Sequence, residues 1–232
     1  MKLVKTALND FISLLFPNYC LACAGAMVKG EVTVCTRCLT ELPKTSYHLR
    51  SDNPIKNRLL GRLPLRYGWA YLRFRKSGIV QHLMHQLKYN NCPEVGIRLG
   101  MAYGHEIIET GMPCPFDVIV PVPLHATRQR QRGYNQAAKF AEGLSEALSI
   151  PWDESITMRS RATATQTRKS KADRWENVRD VFIIKRGTAI EKKRILLVDD
   201  VITTGATLEA CGRHLLQCGC AELSIACLAE AQ

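Results

Sequence analysis

The chain alternates short, nearly unbroken apolar runs with longer stretches in which apolar residues recur every three or four positions. Residues 117–122 (DVIVPV), 195–198 (ILLV) and 223–228 (LSIACL) are runs of the first kind, rich in Val, Ile and Leu. Such a run suits a strand buried on both faces, the pattern of a parallel sheet. Residues 67–74 read as a further strand. Helical spacing runs through 79–87, 94–110, 135–148 and 208–218. In the third of these Ala137, Phe140, Ala141, Leu144 and Leu148 share one face, and Pro151 marks the stop. Strand, helix, strand, helix, strand predicts βαβ units, hence an α/β domain with a mostly parallel sheet.

The first sixty-odd residues depart from this rhythm. Val4, Leu8, Phe11, Ile12 and Leu15 predict an amphipathic helix ended by Pro17. Asn9 and Asp10 interrupt its apolar face, and the apolar stretch after them is too short for a secretory signal or a membrane span. The expectation is therefore a cytoplasmic protein with no membrane span. Residues 40–66 are polar and carry Pro43, Asn53, Pro54 and Gly61, which suits a connecting segment. The chain divides on this reading into a module of residues 1–50 and a main domain of residues 51–232, a size that allows one full domain plus a small appendage.

That first module holds four of the ten cysteines. With no secretory signal the compartment is reducing and the thiols stay free, so spacing decides their use. Cys20, Cys23, Cys35 and Cys38 form C-x2-C-x11-C-x2-C. Each pair can fold as a tight knuckle, and four thiolates can take the corners of a tetrahedron around Zn2+. Four sulfurs leave no position for water, so such a site is structural rather than catalytic, and it staples a segment too small to fold alone. Cys92, Cys114, Cys211, Cys218, Cys220 and Cys227 sit in apolar contexts and read as small buried hydrophobes.

Composition changes the picture in one respect. Hydrophobic residues at 46% and charged residues at 23% exclude a disordered chain, but the net charge of +11 favours anionic partners, phosphates or nucleic acids. The charge is concentrated in Arg128, Arg130 and Arg132, and again in the stretch from Arg159 to Arg179, where only Asp173 and Glu176 oppose it up to Val178.

In open parallel sheets ligands bind beyond the carboxyl ends of the strands. After the run 195–198 come Asp199 and Asp200, then Val201, Ile202, Thr203, Thr204, Gly205, Ala206 and Thr207, and then a helix. Paired carboxylates at a strand end can accept hydrogen bonds from the two vicinal hydroxyls of a ribose. Gly205 lets the backbone approach closely, and successive N–H groups with the threonine hydroxyls can surround a phosphate at a helix N-terminus. An aspartate doublet also marks receiver domains, but there it lies near the domain's start and here it lies near the end. The second strand end, 121–135 (PVPLHATRQRQRGYN), supplies Arg128 and the Arg132-Gly133 pair for a pyrophosphate, with Arg130 read as surface charge. Lys88 and Tyr89, at the end of a predicted helix, offer another phosphate contact. Residues 162–178 read as a mobile loop able to close over a substrate, or as an ordinary exposed insertion.

These segments resemble the ComF/GntX family of phosphoribosyltransferase-like proteins, over nearly the whole chain. The cysteine knuckle, VPVPL followed by RQRGYNQA, Thr163 with Gln166, Arg174 with Asn177, and LLVDDVITTGAT match that family in order and spacing. The last is similar to the signature with which type I phosphoribosyltransferases bind 5-phosphoribosyl-1-pyrophosphate (PRPP). The resemblance implies a type I fold with a parallel sheet and a hood, PRPP held with Mg2+ by the Asp199–Asp200 loop, and pyrophosphate near Arg128–Gly133. It also implies a link to natural competence, the uptake and processing of DNA.

Two functions follow. In one, an acceptor displaces pyrophosphate from PRPP and receives the phosphoribosyl group. In the other, a retained nucleotide or PRPP pocket serves as a sensor, while the zinc knuckle and basic surface touch single-stranded DNA or a DNA-processing competence protein.

Overall fold

The computed structural model of the chain describes residues 18–159, 182–185 and 189–231. The amphipathic segment 1–17 and the basic stretch 162–178, with Thr163, Gln166, Arg174 and Asn177, lie outside the described residues. The elements begin with helix α1 (Thr36–Thr40), a 3-10 turn (Tyr47–Leu49), helix α2 (Pro54–Leu59), strand β1 (Leu65–Phe74), and helices α3 (Ile79–Tyr89) and α4 (Glu94–Glu109). Strand β2 (Val118–Pro121), helices α5 (Ala126–Arg132) and α6 (Gln136–Leu148), and strands β3 (Thr157–Arg159) and β4 (Phe182–Ile184) come next. Strand β5 (Arg194–Ile202), helix α7 (Ala206–Gln217) and strand β6 (Glu222–Ala231) complete the series.

Four strands pair in the order β1-β6-β5-β2, every neighbouring pair parallel. The apolar runs explain this arrangement directly. Leu196 and Val198 of β5 and Ala226 and Leu228 of β6 enter one core with α3, α4 and α6. Ile195 and Leu197, with Ile225 and Cys227, enter a second core with α2 and α7. Successive side chains of a strand point to opposite faces, so a strand covered on both sides must be apolar throughout. Strands β3 and β4 form a separate antiparallel ribbon, and the Thr157 hydroxyl fastens it to the end of β2 by donating to the Pro121 carbonyl at 3.2 Å.

The polar segment before β1 is more than a connection. Asn53 caps α2, its Oδ1 accepting from the N–H groups of Ile55 and Lys56, and Pro54 opens the helix with its fixed φ. Residues 43–45 run antiparallel along the outer edge of β1: Thr45 N–H donates to the Tyr71 carbonyl at 2.9 Å and Arg73 N–H to that of Pro43 at 2.8 Å. Cys20, Val34, Cys38 and Leu42 pack into the same core as Trp69 and Tyr71. Residues 43–45 thus cover part of what would be an open sheet edge, and the cysteine segment packs beside them.

Helices α4 and α6 approach closely because Gly96, Gly100 and Gly104 of α4 face Lys139, Gly143 and Ala147 of α6 in turn. A Cβ on Gly143 would stand 2.1 Å from the Ile97 carbonyl oxygen, and one on Gly100 would stand 2.5 Å from that of Phe140. Both obstacles are helix backbone, so the helices must separate to admit a methyl group. Gly143→Ala is expected to cost about 1–3 kcal/mol through overpacking and to lower the thermal midpoint by about 2–4 °C for each of these. An unchanged melting curve would contradict this packing.

Candidate functional site

The site begins where one strand outlasts its neighbour. β2 and β5 pair from Val118–Ile195 to Pro121–Val198, and Val122 N–H still donates to the Val198 carbonyl at 2.8 Å. The next rung of a parallel ladder would join Asp200 N–H to the Val122 carbonyl. Neither group is free for it. The Val122 carbonyl accepts from Nδ2 of Asn135, the cap of α6, at 2.9 Å, and Asp200 N–H donates to Oδ1 of Asp199 at 2.8 Å. β5 then runs on to Ile202 paired with β6 alone. The sequence reading ends this strand at Val198; the structure carries both aspartates inside it, because β6 continues to supply partners.

Strand alternation separates the two carboxylates. Asp200 falls on the face of Val198, towards α3, and Asp199 on the face of Leu197, towards α7. At the end of α3, Lys88 Nζ stands 2.8 Å from Asp200 Oδ2. Burial pushes the Asp199 carboxyl up to about 8, and the charge on Asp200 adds to this. The Asp200 N–H and the charges of Lys88 and Arg159 oppose the shift without cancelling it. Two adjacent acids are thereby made unlike: Asp200 faces a cation, whereas Asp199 tends to hold a proton.

Beyond Ile202 the chain turns into α7. Thr203, Thr204, Ala206 and Thr207 are exposed, and Gly205 is buried at the helix N-cap with φ of 79°, a conformation that favours glycine. The first N–H groups of a helix lack partners within it and lie at its positive end; here that of Ala206 donates to the Thr204 hydroxyl at 3.4 Å. Behind the turn stand Arg58 of α2 and Arg62, donating to the carbonyls of Thr203 and Thr204.

A basic rim completes the site. Arg132 is held by Gln136, Nη1 to Oε1 at 2.7 Å, and its guanidinium lies 5.4 Å from the centre of the Tyr89 ring. Tyr89 adjoins Lys88, so the end of α3 touches both strand-end segments. Gly133 closes α5 in the left-handed region, φ 79°, its N–H donating to the Gln129 carbonyl at 2.8 Å. Arg128 is exposed on α5, as is Arg130, whose Nε donates to the Ala126 carbonyl of its own helix at 3.4 Å. Arg159, the last residue of β3, is half-buried against the Phe182 ring at 5.6 Å. Burial and the charge of Arg128 weaken its hold on its proton, while Asp199 strengthens it, so Arg159, Arg128 and Asp199 share one electrostatic neighbourhood. Sequence reasoning counted Arg159 only among a run of basic residues, and it missed Arg58 and Arg62 altogether. The Asn53-Pro54 cap was the available signal for the helix that carries Arg58.

At the other end of the chain the sulfur atoms of Cys20, Cys23, Cys35 and Cys38 all lie within 4.8 Å of one another, those of Cys23 and Cys35 at 3.9 Å. Sulfur-to-metal bonds of about 2.3 Å place tetrahedral corners about 3.8 Å apart, close to this spacing. Backbone N–H groups of Ala22 and Cys35 point at Cys20 Sγ, and that of Cys38 at Cys35 Sγ, as thiolates require. All four thiols are free of disulfides, and the cluster can hold a metal ion. Of the other cysteines, Cys211, Cys220 and Cys227 are buried in the α7-side core.

The chain is similar to known proteins. The Phosphoribosyl transferase domain family matches residues 135–232. Over 215 residues the chain is 32% identical to the DNA utilization protein YhgH of Escherichia coli (strain K12), a match covering 90% of this chain and 88% of that protein. Competence protein F of Haemophilus influenzae is 40% identical over 120 residues, 50% of this chain and 51% of that protein. The chain belongs to the ComF family. Among solved structures, the glutamine PRPP amidotransferase of B. subtilis complexed with ADP and GMP superposes with a TM-score of 0.43 at 23% identity, over 62% of this chain and 30% of that one. The ComF-family chain carries a type I phosphoribosyltransferase fold, with a parallel sheet and a cysteine cluster compatible with a zinc knuckle. Among the described residues, no helix is long and apolar enough to cross a membrane.

The raised Asp199 carboxyl has a measurable consequence. Between the ordinary aspartate value near 4 and its folded value of about 8, the folded state holds a proton that the unfolded state has lost, so stability falls as pH rises through this range. Asp199→Asn removes the titration. The ligand-free variant is expected to melt progressively above the wild type from pH 5 to pH 8, with the two converging toward pH 4. Parallel curves across this range would refute the assignment.

Proposed function

We propose that this ComF-family protein binds PRPP with Mg2+ at the end of β5 and transfers the phosphoribosyl group to an acceptor, releasing pyrophosphate. One observation carries the reading: at the end of β5 Asp200 pairs with Lys88 of α3, Asp199 shares an electrostatic neighbourhood with Arg159 of β3 and Arg128 of α5, and the exposed threonine turn follows directly. In this reading the turn Thr203–Thr207 receives the 5-phosphate through its amides and hydroxyls. Asp199 and Asp200 receive the ribose hydroxyls, and Arg128, Arg132 and Gly133 receive the pyrophosphate. Lys88 keeps ammonium hydrogens for a phosphate oxygen while holding Asp200, since an ammonium has three donors. The carboxylate oxygens suit Mg2+, which favours one or two carboxylates plus substrate phosphates, and the ion would neutralise charge on the leaving group. As that group departs, positive charge grows at ribose C1, and in this reading the Asp200 carboxylate stabilises it.

A second reading has its own support. α5 buries none of its residues and displays Arg128 and Arg130, while the relatives' names speak of DNA utilization and competence. A module that senses PRPP and holds single-stranded DNA on this face needs no turnover. We further read residues 1–50 as a module closed by structural Zn2+ on Cys20, Cys23, Cys35 and Cys38, and residues 51–232 as the phosphoribosyltransferase domain, in a cytoplasmic protein.

Mg-PRPP at a hundredfold excess over its Kd is expected to stabilise the protein by about 2.7 kcal/mol, a rise of several degrees in melting temperature. The double variant Asp199→Asn, Asp200→Asn should lose that rise; no rise in the wild type would remove both readings. Pyrophosphate released with a base or amine present favours the transferase, and salt-sensitive DNA binding that survives the double variant favours the module.

For the cysteine cluster, the purified protein is expected to carry one zinc per chain. Cys20→Ser or Cys38→Ser should lose it and lower the melting temperature, as should a strong chelator. Undiminished zinc in either variant would overturn the assignment.

A further inference from the structure

Two half-buried arginines stand on the carbonyl side of the turn Thr203–Thr204. Arg58 divides its fork between two partners, Nη1 donating to the Thr203 carbonyl at 2.6 Å and Nη2 to Glu230 Oε1 at 2.6 Å. The Glu230 side chain is 2% exposed, and its other oxygen accepts from the Tyr47 hydroxyl at 2.8 Å. Arg62 repeats the arrangement one residue along the turn. Its Nη2 donates to the Thr204 carbonyl at 2.8 Å, and its Nη1 lies 3.1 Å from Oε2 of Glu209, in the first turn of α7. Each carboxylate fixes a guanidinium, and each guanidinium fixes a carbonyl.

Two consecutive carbonyls tied to one side determine where the peptide hydrogens point. In a trans peptide the C=O of one residue and the N–H of the next are directed oppositely, and among the described residues no peptide is cis. With the oxygens of Thr203 and Thr204 drawn towards α2 and Arg62, the N–H groups of Thr204 and Gly205 turn away, to the exposed side of the turn. Gly205 lets the turn lie flush on this support: a Cβ there would meet Leu59 Cδ2 at 2.9 Å and Arg62 Nη2 at 3.2 Å.

We propose that Arg58 and Arg62, anchored by Glu230 and Glu209, are positioning residues that aim the N–H groups of Thr204 and Gly205 at a phosphate of the substrate. The proposal rests on the reading of this turn as a PRPP site and assigns its preorganisation to α2 and the turn after it. Holding the donors in place before the ligand arrives spares the entropy of ordering them on binding.

Removing Arg58 alone strands a buried carboxylate, which endangers the fold. The test therefore uses Arg58→Met with Glu230→Gln, which deletes both charges and keeps a partner for Tyr47, beside Arg58→Lys and the distant control Arg66→Ala. In the full-length, zinc-loaded protein two quantities are read: the Kd of Mg-PRPP by calorimetry, and the amide order parameters of Thr204 and Gly205 without ligand. The double variant is expected to melt near the wild type and to bind Mg-PRPP about tenfold to a hundredfold more weakly. Its order parameters should fall from the rigid value of about 0.85. Arg58→Lys, which replaces the planar two-pronged guanidinium by a point charge on a flexible stem, should show an intermediate loss, and Arg66→Ala should show none. Unchanged affinity and order in a folded double variant overturn the proposal, as does full affinity in Arg58→Lys. If the wild type itself fails to bind Mg-PRPP, the site reading falls. The brace then stands or falls on the order parameters alone.

Discussion

One missing rung in the hydrogen-bond ladder makes room for the site. Had the Val122 carbonyl met Asp200 N–H, β2 would have continued beside β5 and the sheet would have closed over the gap. Asn135 prevents this by capping α6 with Oδ1 while its Nδ2 takes the Val122 carbonyl. Asp199 satisfies the orphaned Asp200 N–H from its own side chain. A helix cap and an acid thus do the work of a strand, and the backbone is satisfied without filling the crevice.

The same break sets the electrostatics. Because both acids lie within β5, alternation sends them to different layers, where they meet different neighbours: Lys88 for Asp200, burial and the core beneath α7 for Asp199. A doublet after the strand's end, free to turn both side chains one way, would repel itself and have no reason to differentiate. The cations follow a similar logic. Among the described residues Arg132 is oriented by Gln136 and Tyr89 rather than by an acid, which suits it to an anion.

How much of this the sequence revealed depended on whether the signal was local. Strands buried on both faces leave unbroken apolar runs, so β2, β5 and β6 were visible, and the cysteine spacing announced its cluster. The end of β5 was misplaced because Asp199 and Asp200 break the apolar run while β6 goes on pairing with them. Helix α2 has only six residues, too few to display a period, although its cap was in plain view. Arg58 carries no mark at all, since the carbonyl it holds lies 145 residues away. Nor does Arg159, whose place beside Arg128 and Asp199 depends on the ribbon docking at Pro121.

The position of α2 gives the cysteine module a part in this geometry. Residues 43–45 line the edge of β1, and the Thr45 hydroxyl accepts from Tyr47 N–H as the chain enters the 3-10 turn. Tyr47 reaches Glu230, Glu230 holds Arg58, and Arg58 holds the turn. Every step is a short contact between ordered groups, and the chain of contacts starts where the four-cysteine segment lays Val34, Cys38 and Leu42 against Trp69 and Tyr71. Fixing those cysteines around an ion would thus stiffen the edge from which the brace springs.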